Sequence, residues 1–473
     1  MAKLLGIDIG TSGCKVLLID ESGRVLKQSS AEYPLSVPRP LWSEQNPEDW
    51  WTGVSRCLAE IDEPTPDAIG LTGQMHGAVF LDKDLEVVRP AILWNDQRTV
   101  EECAEIERKV GRTALMEITC NPALTGFQLP KILWLRNHEP SNYARTRHVL
   151  LPKDYIRLRL TGEMRTEVSD ASGTGLFDVP GRRWSTEVIS ALELDATLFP
   201  PCTESFVASA TTREGTPVAG GGGDQAAAAV GTGAVAPGII SVSLGTSGVV
   251  FTTIDRPEYE REGAAHTFCH ANGGWHAMGV MLNCGGALRW YRDTLAAGTS
   301  YDQIAAEAGL VPAGADGLTF LPYLTGERCP HNDPLARGAF AGLTLAHSRR
   351  HLSRAVFEGM SFGLLDCLHL IKRLGATVDE IRVTSGGAKS RFWVQLLADI
   401  FGAPCVTLEV DEGPAFGAAI LAGVGVGLWP DVATACTKVV RKREETSPKG
   451  TDGQELYRRY RELYARTRDW NRL

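Results

Sequence analysis

The sequence lacks a long hydrophobic run, a surplus of basic residues and any Cys-x-x-Cys pair, and each absence excludes a class of protein. The uncharged stretch of residues 413–430 is short for a membrane span and rich in glycine, so it predicts a buried helix. Lysine and arginine number 48 against 57 aspartates and glutamates, giving a formal net charge of −9 at pH 7. That balance argues against nucleic acid or an anionic membrane as the main partner.

The cysteines and the N-terminus point to the same compartment. The 11 cysteines are scattered and show no metal-ligand spacing, which is typical of reduced thiols rather than disulfides or a zinc site. The first residues contain no apolar run long enough for a signal peptide. We therefore expect a cytoplasmic protein. Its 473 residues suffice for two or three domains with separate cores.

A run of four glycines, Gly220–Gly223, leads into Asp224 and then into an alanine-rich segment that predicts a helix. Glycines allow backbone and ligand to approach closely because they carry no Cβ. An aspartate at a helix start has two interpretations. It either caps the helix, where the dipole favours negative charge, or serves as a catalytic base in a polar cleft.

The N-terminal segment predicts an antiparallel meander of three strands, residues 3–9, 14–20 and 24–30. Asp8 is unusual in the first strand, where alternation places it on one face with the neighbouring glycines. The turn Gly10–Gly13 offers backbone N–H groups together with the hydroxyls of Thr11 and Ser12, which suit phosphate oxygens. An ordinary hairpin turn is the alternative.

The motif Gly-Thr-Ser-Gly occurs again at Gly245–Gly248, once more between two β-rich segments. This internal repeat predicts two related domains, whose turns could hold a polyphosphate from both sides. Further along, a predicted strand enters Ser385–Ser390 and is followed by a helix, which favours a nucleotide site at Gly386, Gly387 and Ala388. The spacing is not that of a Walker A loop.

Two polar loops follow predicted strands in the first half of the chain. One is Gly73–Gly77, in which glycines bracket Gln, Met and His, and the other begins at Trp94 and continues through Asn95 and Asp96. Strand ends are where α/β folds place ligands, and an aromatic platform beside amide and carboxylate groups suits a polyhydroxylated molecule. A surface loop and a helix cap at Asp96 are the competing explanations.

Three further segments carry plain structural signals. Asn46 and Pro47 predict a helix start, and a long helix is expected over about residues 348–374. The charged run Lys438–Asp452 is interpreted as a solvated linker before a final amphipathic helix.

These segments together resemble a known family. The segments Gly6–Gly13, Gly220–Asp224, Ser243–Gly248 and Ser385–Lys389 are similar, in order, to the conserved segments of the FGGY carbohydrate kinases. Within that family, the kinases that act on D-xylulose have segments similar to Gly73–Gly77, Trp94–Asp96, Leu151–Tyr155 and Gly326–Arg328. The resemblance covers nearly the whole chain.

The resemblance implies an α/β fold of two actin-like ATPase (ribonuclease H-like) domains with a central cleft. Residues 1–235 would form the N-terminal domain, which binds sugar and carries the catalytic base, and residues 236–473 the C-terminal, nucleotide-binding domain. It further implies ATP and Mg²⁺, cleft closure, and phosphorylation of the terminal hydroxyl of D-xylulose to D-xylulose 5-phosphate in pentose catabolism. The expected partners are a small sugar and ATP, with a homodimer possible.

Site residues follow by carrying the family's roles onto matching positions. The catalytic and metal-binding residues are Asp224, as the base, and Asp8, near metal and phosphates. The residues expected to bind sugar are Met75, His76, Trp94, Asp224 and Gln225. Those expected to bind ATP are Thr11, Ser12, Gly245, Thr246, Gly386, Gly387 and Ala388.

Two departures from the family pattern bear on the choice of sugar. Gln225 stands where many D-xylulose kinases have Asn, and the segment Leu194–Gly220 is shorter than in close relatives. Another ketose or polyol, such as ribulose, L-xylulose or xylitol, therefore remains an alternative substrate. An inactive actin-like nucleotide-binding protein is the alternative of a different class, and the two retained carboxylates Asp8 and Asp224 argue against it.

Overall fold

The computed structural model describes residues 2–63, 65–410, 412–450 and 453–472. In chain order the strands are β1 Lys3–Ile9, β2 Gly13–Asp20, β3 Val25–Glu32, β4 Glu44–Gln45, β5 Ala68–Gly73, β6 Val79–Leu81, β7 Ala91–Ile92, β8 His148–Leu150, β9 Thr166–Glu167, β10 Phe177–Asp178, β11 Arg183–Trp184, β12 Cys202–Thr203, β13 Ala208–Thr211, β14 Pro217–Ala219, β15 Gly222–Gly223, β16 Ile239–Leu244, β17 Gly248–Ile254, β18 His266–Cys269, β19 Trp275–Met281, β20 Thr319–Leu321, β21 Ala339–Ala341, β22 Glu380–Thr384, β23 Cys405–Leu408 and β24 Lys442–Thr446.

The α-helices are α1 Pro47–Ile61, α2 Val100–Val110, α3 Arg112–Thr119, α4 Gln128–His138, α5 Pro140–Arg145, α6 Pro152–Thr161, α7 Val168–Ala171, α8 Thr186–Ala191, α9 Asp224–Thr232, α10 Gly285–Thr294, α11 Tyr301–Gly309, α12 Arg349–Arg373, α13 Arg391–Phe401, α14 Gly413–Gly425, α15 Val432–Val439 and α16 Gly453–Thr467. None of the helices in the described part of the chain is long and apolar enough to cross a membrane.

Two seven-stranded sheets organise the molecule, and their centres repeat one arrangement. The first has the order β13-β14-β5-β1-β2-β3, with β15 also on β5, and the second the order β18-β19-β17-β16-β22-β23-β24. In the first sheet β1 pairs antiparallel with β2 and parallel with β5. In the second β16 pairs antiparallel with β17 and parallel with β22. The predicted meander, internal repeat and α/β class are therefore confirmed.

Local sequence signals set the helix ends. The side chain of Asn46 accepts the backbone N–H of Glu48, and Pro47 occupies the first turn of α1. The predicted long helix is α12, which begins after Ser348 and packs over β17 and β19. Its apolar face forms much of the core of the second half.

The helix α14 connects the two halves of the molecule. It lies late in the chain, yet it packs against β1 and β5 of the first sheet and against α9. A Cβ on Gly6 would overlap the carbonyl oxygen of Ala415, and one on Gly70 would overlap that of Ala418. Glycine is required at both positions because the helix backbone lies directly on the sheet. The uncharged stretch predicted as a buried helix is thus confirmed, while the division of the chain at residue 235 stays a prediction.

One expectation for the C-terminal region is wrong. The charged run Lys438–Asp452 is not simply a linker, because β24 pairs antiparallel with β23 and forms the edge of the second sheet. Four of its five side chains, all charged, are exposed, as suits an edge strand that must not pair further. Thr451 and Asp452 lie outside the described residues.

Candidate active site

The glycine run places Asp224 at the first residue of α9. Gly222 and Gly223 pair with the end of β5, and a Cβ on Gly221 would overlap the backbone of Leu71, so the chain passes close to that strand. The N-cap of α9 is Gly223, and no side chain caps the helix. The carboxylate of Asp224 is therefore not the helix cap. Burial raises the pKa of Asp224 to about 6, against hydrogen bonds from Gln225 that lower it.

The second carboxylate, Asp8, lies within electrostatic reach of the first. Burial, and then the charge of Asp224, raise the pKa of Asp8 to about 7, and Lys15 opposes the shift. Lys15 is the cross-strand partner of Asp8 in the β1–β2 ladder. One buried oxygen of Asp8, Oδ1, has no hydrogen-bond partner. Two buried carboxylates with raised pKa values, one of them raised in part by the charge of the other, are typical of a functional site.

A cavity of about 360 Å³ opens between the two halves beside these residues. Asp8, Lys15 and Gln225 line it from the first half. Its wall from the second half is formed by residues of β16 and β22 and by the start of α14, among them Ser241, Ser243, Thr384, Glu412 and Pro414. Lys15 forms an ion pair with Glu412 across this space. The cavity thus brings the carboxylate of Asp8 together with polar groups of both sheets.

The donor set at this point suits Mg²⁺. Among the described residues, no group of three or more His, Cys, Asp or Glu side chains is placed to hold a metal ion by itself. Magnesium in phosphoryl-transfer sites needs only one or two carboxylates, with water and phosphate completing the octahedron. Asp8, with its unpartnered buried oxygen, and Asp224 would hold the ion.

The first glycine turn is tightly closed. The N–H of Gly10 donates to the carbonyl of Gly13 at 3.0 Å. The hydroxyl of Thr11 accepts from Trp94 Nε1 at 2.9 Å and donates to Gln74 Oε1 at 3.1 Å. Ser12 is exposed at the tip of the turn. Thr11 therefore ties the turn to the two polar loops, and its hydroxyl is already engaged within the protein.

The predicted nucleotide residues of the second half come together. The carbonyls of Gly245 and Thr246 accept N–H groups from the start of α10 at 2.8–3.0 Å. Gly387 lies against Leu244, since a Cβ there would be 2.5 Å from that of Leu244. Gly386 and Ala388 belong to the same 3₁₀ turn, residues 386–389. These five predicted residues thus surround the carboxyl ends of β16 and β22.

The Gln-Met-His loop lies directly beside the aspartate at the helix start. Met75 is buried against Gly223, where a Cβ would be 2.9 Å from Met75 Cγ. His76 adopts a left-handed backbone with a φ of 68°, and its Nδ1 lies 2.6 Å from the carbonyl of Gly173. Burial lowers the pKa of His76 to about 3, so the ring is neutral at neutral pH. With Nδ1–H donating to Gly173, Nε2 is left as an acceptor.

A second cavity, of about 470 Å³, opens on His76 and Trp94. Its lining from the second half includes His266, Glu327 and Arg328. Of the predicted sugar residues, His76 and Trp94 line this cavity, whereas Gln225 lines the cavity that contains Asp8. Met75 precedes His76 and contacts Gly223, which precedes Asp224 and Gln225. The His76 loop and the segment that carries Asp224 and Gln225 are therefore neighbours.

Sequence reasoning missed an ion cluster beneath the site, formed by Lys153, Asp154, Glu167 and Asp170. All four side chains are buried, and Lys153 Nζ lies 2.6 Å from Asp154, 3.4 Å from Glu167 and 3.6 Å from Asp170. Ser169, which precedes Asp170, accepts the N–H of Gly223 at 3.2 Å. The cluster therefore supports the segment that carries Asp224.

The role of Lys15 was also missed, although alternation along β1 and β2 places it opposite Asp8. Arg328 lies in a segment that carries the family resemblance but was assigned no role, and His266 gave no signal. Nothing in their local pattern points to a cavity formed by distant segments.

Two family models match the chain. The N-terminal domain of the FGGY family of carbohydrate kinases matches residues 3–231, and its C-terminal domain matches residues 240–426.

Known proteins are similar over most or all of the chain. A xylulose kinase of Bacillus subtilis is 38% identical over 100% of this chain and 98% of its own. A gluconokinase of the same organism is 31% identical over 88% of this chain and 86% of its own. The crystal structure of a xylulose kinase from Rhodospirillum rubrum is 29% identical, covers 100% of both chains and superimposes with a TM-score of 0.92.

The fold agrees with the two-domain, actin-like architecture that was predicted, and the prediction of a carbohydrate kinase is confirmed as well. Matching models for both domains, together with full-length relatives, show that the chain belongs to the FGGY family of carbohydrate kinases.

Proposed function

We propose that the enzyme transfers the γ-phosphoryl group of ATP to the terminal hydroxyl of D-xylulose and forms D-xylulose 5-phosphate in pentose catabolism. The observation that carries this proposal is the Met75–His76 loop packed against Gly223, next to Asp224. The substrate is supported by the similarity to xylulose kinases over nearly the whole chain. Kinases of this family use ATP, generally with a divalent metal ion.

Asp224 acts as the base in this proposal. Its carboxylate accepts the proton of the sugar hydroxyl as that oxygen attacks the γ-phosphorus. Asp8 and Asp224 would hold Mg²⁺, which would supply positive charge to compensate that of the phosphates. The phosphates are bound by the N–H groups of the turn containing Thr11 and Ser12. Phosphoryl transfer depends mainly on such positioning and charge compensation, and cleft closure excludes water as a competing acceptor.

The nucleotide lies against the second half in this proposal. Its phosphates meet the turn containing Gly245 and Thr246, and Gly386–Ala388 pack against the nucleoside. The division into domains at residues 235 and 236, a cytoplasmic location and a homodimer belong to the same proposal. Sedimentation of the purified protein measures the last of these directly.

His76 binds the sugar in this proposal. Because its ring is neutral and its Nε2 is an acceptor, we expect His76→Ala to raise the KM for D-xylulose about tenfold or more while the KM for ATP is unchanged. Steady-state kinetics with each substrate varied in turn measures both. An unchanged KM for the sugar would remove His76 from the site.

A second candidate substrate is D-gluconate. The observation that favours it is the guanidinium of Arg328 in the cavity shared with His76, because a carboxylate would complement its charge. The position of Gln225 beside Asp8 keeps ribulose, L-xylulose and xylitol as further alternatives.

The test is a coupled ADP-release assay with MgATP and a panel of acceptors: D-xylulose, D-ribulose, L-ribulose, L-xylulose, xylitol, glycerol and D-gluconate. We expect the highest kcat/KM with D-xylulose. Preference for another acceptor keeps the kinase mechanism and overturns the substrate. ATP binding without turnover on any acceptor would favour the inactive nucleotide-binding alternative.

A further inference from the structure

The guanidinium of Arg328 has no partner within the part of the chain that the structure describes. It lines the cavity of about 470 Å³, where neither a hydrogen bond nor an ion pair engages its five N–H donors. Two other arginines of the interior each have acceptors, although Nη1 of Arg98 and Nε of Arg157 are left without one. Arg98 pairs with Asp96 and Glu44, and Arg157 donates to the carbonyl of Ala219.

Leaving this group unpaired is costly, because burial disfavours its charge and lowers the pKa of Arg328 below its ordinary value. A guanidinium in such a place is retained when something else supplies acceptors. The cavity between the two halves is where that acceptor must lie.

The neighbouring Glu327 does not supply it. Its Oε1 accepts the backbone N–H groups of Leu282 and Arg328, each at 2.8 Å. Burial raises the pKa of Glu327 to about 8, so this carboxyl is mostly protonated at neutral pH. The other titratable groups of the lining, His76 and His266, are held neutral because burial lowers their pKa values. The described lining therefore presents one positive charge without a counter-charge.

The loop that carries Arg328 is held in place. Glu327 exchanges two backbone hydrogen bonds with Asp333, and Thr325 bonds to the side chain of Asn283. The second half thus presents the guanidinium to the cavity from a fixed loop. His76 and Trp94 of the first half line the same space.

We propose that Arg328 is a substrate-binding residue that donates hydrogen bonds to the acceptor sugar at the end remote from Asp224. This proposal deepens the function proposed above and rests on its placement of the sugar at His76. The chemistry recognised is a pair of neighbouring oxygens, such as the carbonyl and hydroxyl of a ketose or the carboxylate of an aldonate, because a guanidinium fork binds two acceptors at once.

The test compares Arg328→Met and Arg328→Lys with the wild-type enzyme, with D-xylulose and with D-gluconate as acceptors. Arg328→Met is expected to raise the acceptor KM about ten- to a hundredfold and to leave the KM for ATP within twofold. Arg328→Lys keeps the positive charge but loses the two-pronged guanidinium, so its acceptor KM should lie between those of the wild type and Arg328→Met. A larger loss with D-gluconate than with D-xylulose identifies a carboxylate as the oxygen pair, and the reverse order identifies a ketose end.

The matched control is Arg350→Met, because Arg350 is exposed at the start of α12. It should change neither KM. The melting temperature separates binding from a structural role: Arg328→Met removes an unpaired buried charge and should not lower it. An acceptor KM within twofold of wild type, or a change confined to the KM for ATP, would overturn the proposal.

Failure of the proposed function gives a different result. If the wild-type enzyme uses D-gluconate and not D-xylulose, the substrate assignment fails. The ratio of the gluconate KM of Arg328→Met to that of the wild type still decides the role of Arg328. If neither acceptor is turned over, titration calorimetry measures the Kd of each acceptor for the wild type and for Arg328→Met. The ratio of these two Kd values then replaces the ratio of KM values. Absence of measurable binding to the wild type overturns the proposal.

Discussion

The carboxylate of Asp224 lies at the start of α9, beside Met75 and within electrostatic reach of Asp8. We expect Asp224→Asn to lower kcat about 10²- to 10⁴-fold, because the amide cannot accept the hydroxyl proton, and to leave ATP affinity nearly unchanged. Single-turnover phosphoryl transfer and a fluorescent-nucleotide titration measure the two effects. Asp302→Asn, at an exposed position on α11, is the control. Equal losses of ATP binding and turnover would contradict a role as base.

Glu327 gives a pH-dependent prediction. Its folded pKa of about 8 lies above the ordinary value of 4.5, so its contribution to folding stability is fully present below pH 4.5 and is lost as pH rises through 8. Gln does not titrate and can still accept both backbone N–H groups. The unfolding free energy of Glu327→Gln relative to wild type should therefore increase between pH 5 and pH 8, by on the order of 1.4 kcal/mol per pH unit at most.

Urea unfolding at a series of pH values measures this difference. Glu117→Gln, at an exposed position on α3, should show no trend with pH. A difference that is flat from pH 5 to 8 would mean that Glu327 is ionised in the folded protein.

Individual site residues were predictable where the signal is local. Asp8 was found because a carboxylate interrupts an apolar strand, and Asp224 because it follows four glycines. Arg328 and Lys153 lie in segments that carry the family resemblance, but neither was assigned a role, because their significance depends on what surrounds them in space. Lys153 meets Asp170 only after α6 and α7 have packed.

At the scale of elements, the ion cluster of Lys153, Asp154, Glu167 and Asp170 links α6 and α7. We expect Lys153→Met to lower the free energy of unfolding by about 3–5 kcal/mol, because it leaves buried carboxylates without their cation. Adding Asp170→Asn should recover part of the loss, since one of those carboxylates becomes an amide. Chemical denaturation measures both variants.

The control for this experiment is Lys83→Met, because Lys83 is an exposed lysine with only a neighbouring surface aspartate. Its stability should match that of the wild type, as exposed ion pairs contribute little. A double variant less stable than Lys153→Met alone would contradict the electrostatic explanation.

The strand β24 shows why some elements escaped prediction. Its sequence, Lys442–Thr446, has no apolar residue and no alternation, which is the pattern of a solvated chain. The strand exists because β23 offers an unpaired edge, and pairing there needs backbone groups alone. By contrast, α12 was predictable from its length, its Ser348 start and its apolar content.

At the scale of the whole molecule, the repeated Gly-Thr-Ser-Gly turns predicted two sheets of one design, and the structure has them. The packing of α14 on the first sheet was not predictable, because it joins Gly6 and Gly70 to residues near the other end of the chain. Periodicity shows that a helix is buried but does not show which sheet buries it.

This packing predicts the behaviour of fragments. Residues 1–235 expressed alone should fail to unfold cooperatively, because the faces of β1, β5 and α9 that α14 covers would be exposed to water. Co-expression with residues 236–473 should restore a cooperative, soluble complex. Thermal unfolding and size-exclusion chromatography measure both preparations. A monomeric, cooperatively folding fragment 1–235 would show that the first sheet does not need the helix.

The position of α14 also affects how the protein is made. On the ribosome, the strands β1, β2, β3 and β5 of the first sheet emerge long before α14. On the order of 180 residues separate the end of the first half from this helix, and at ~5–20 residues per second their synthesis takes about 10–35 s. During that time the nascent chain presents an uncovered sheet face to solvent and to chaperones. The order of translation, and not only the final contacts, therefore sets how long this protein is open to aggregation.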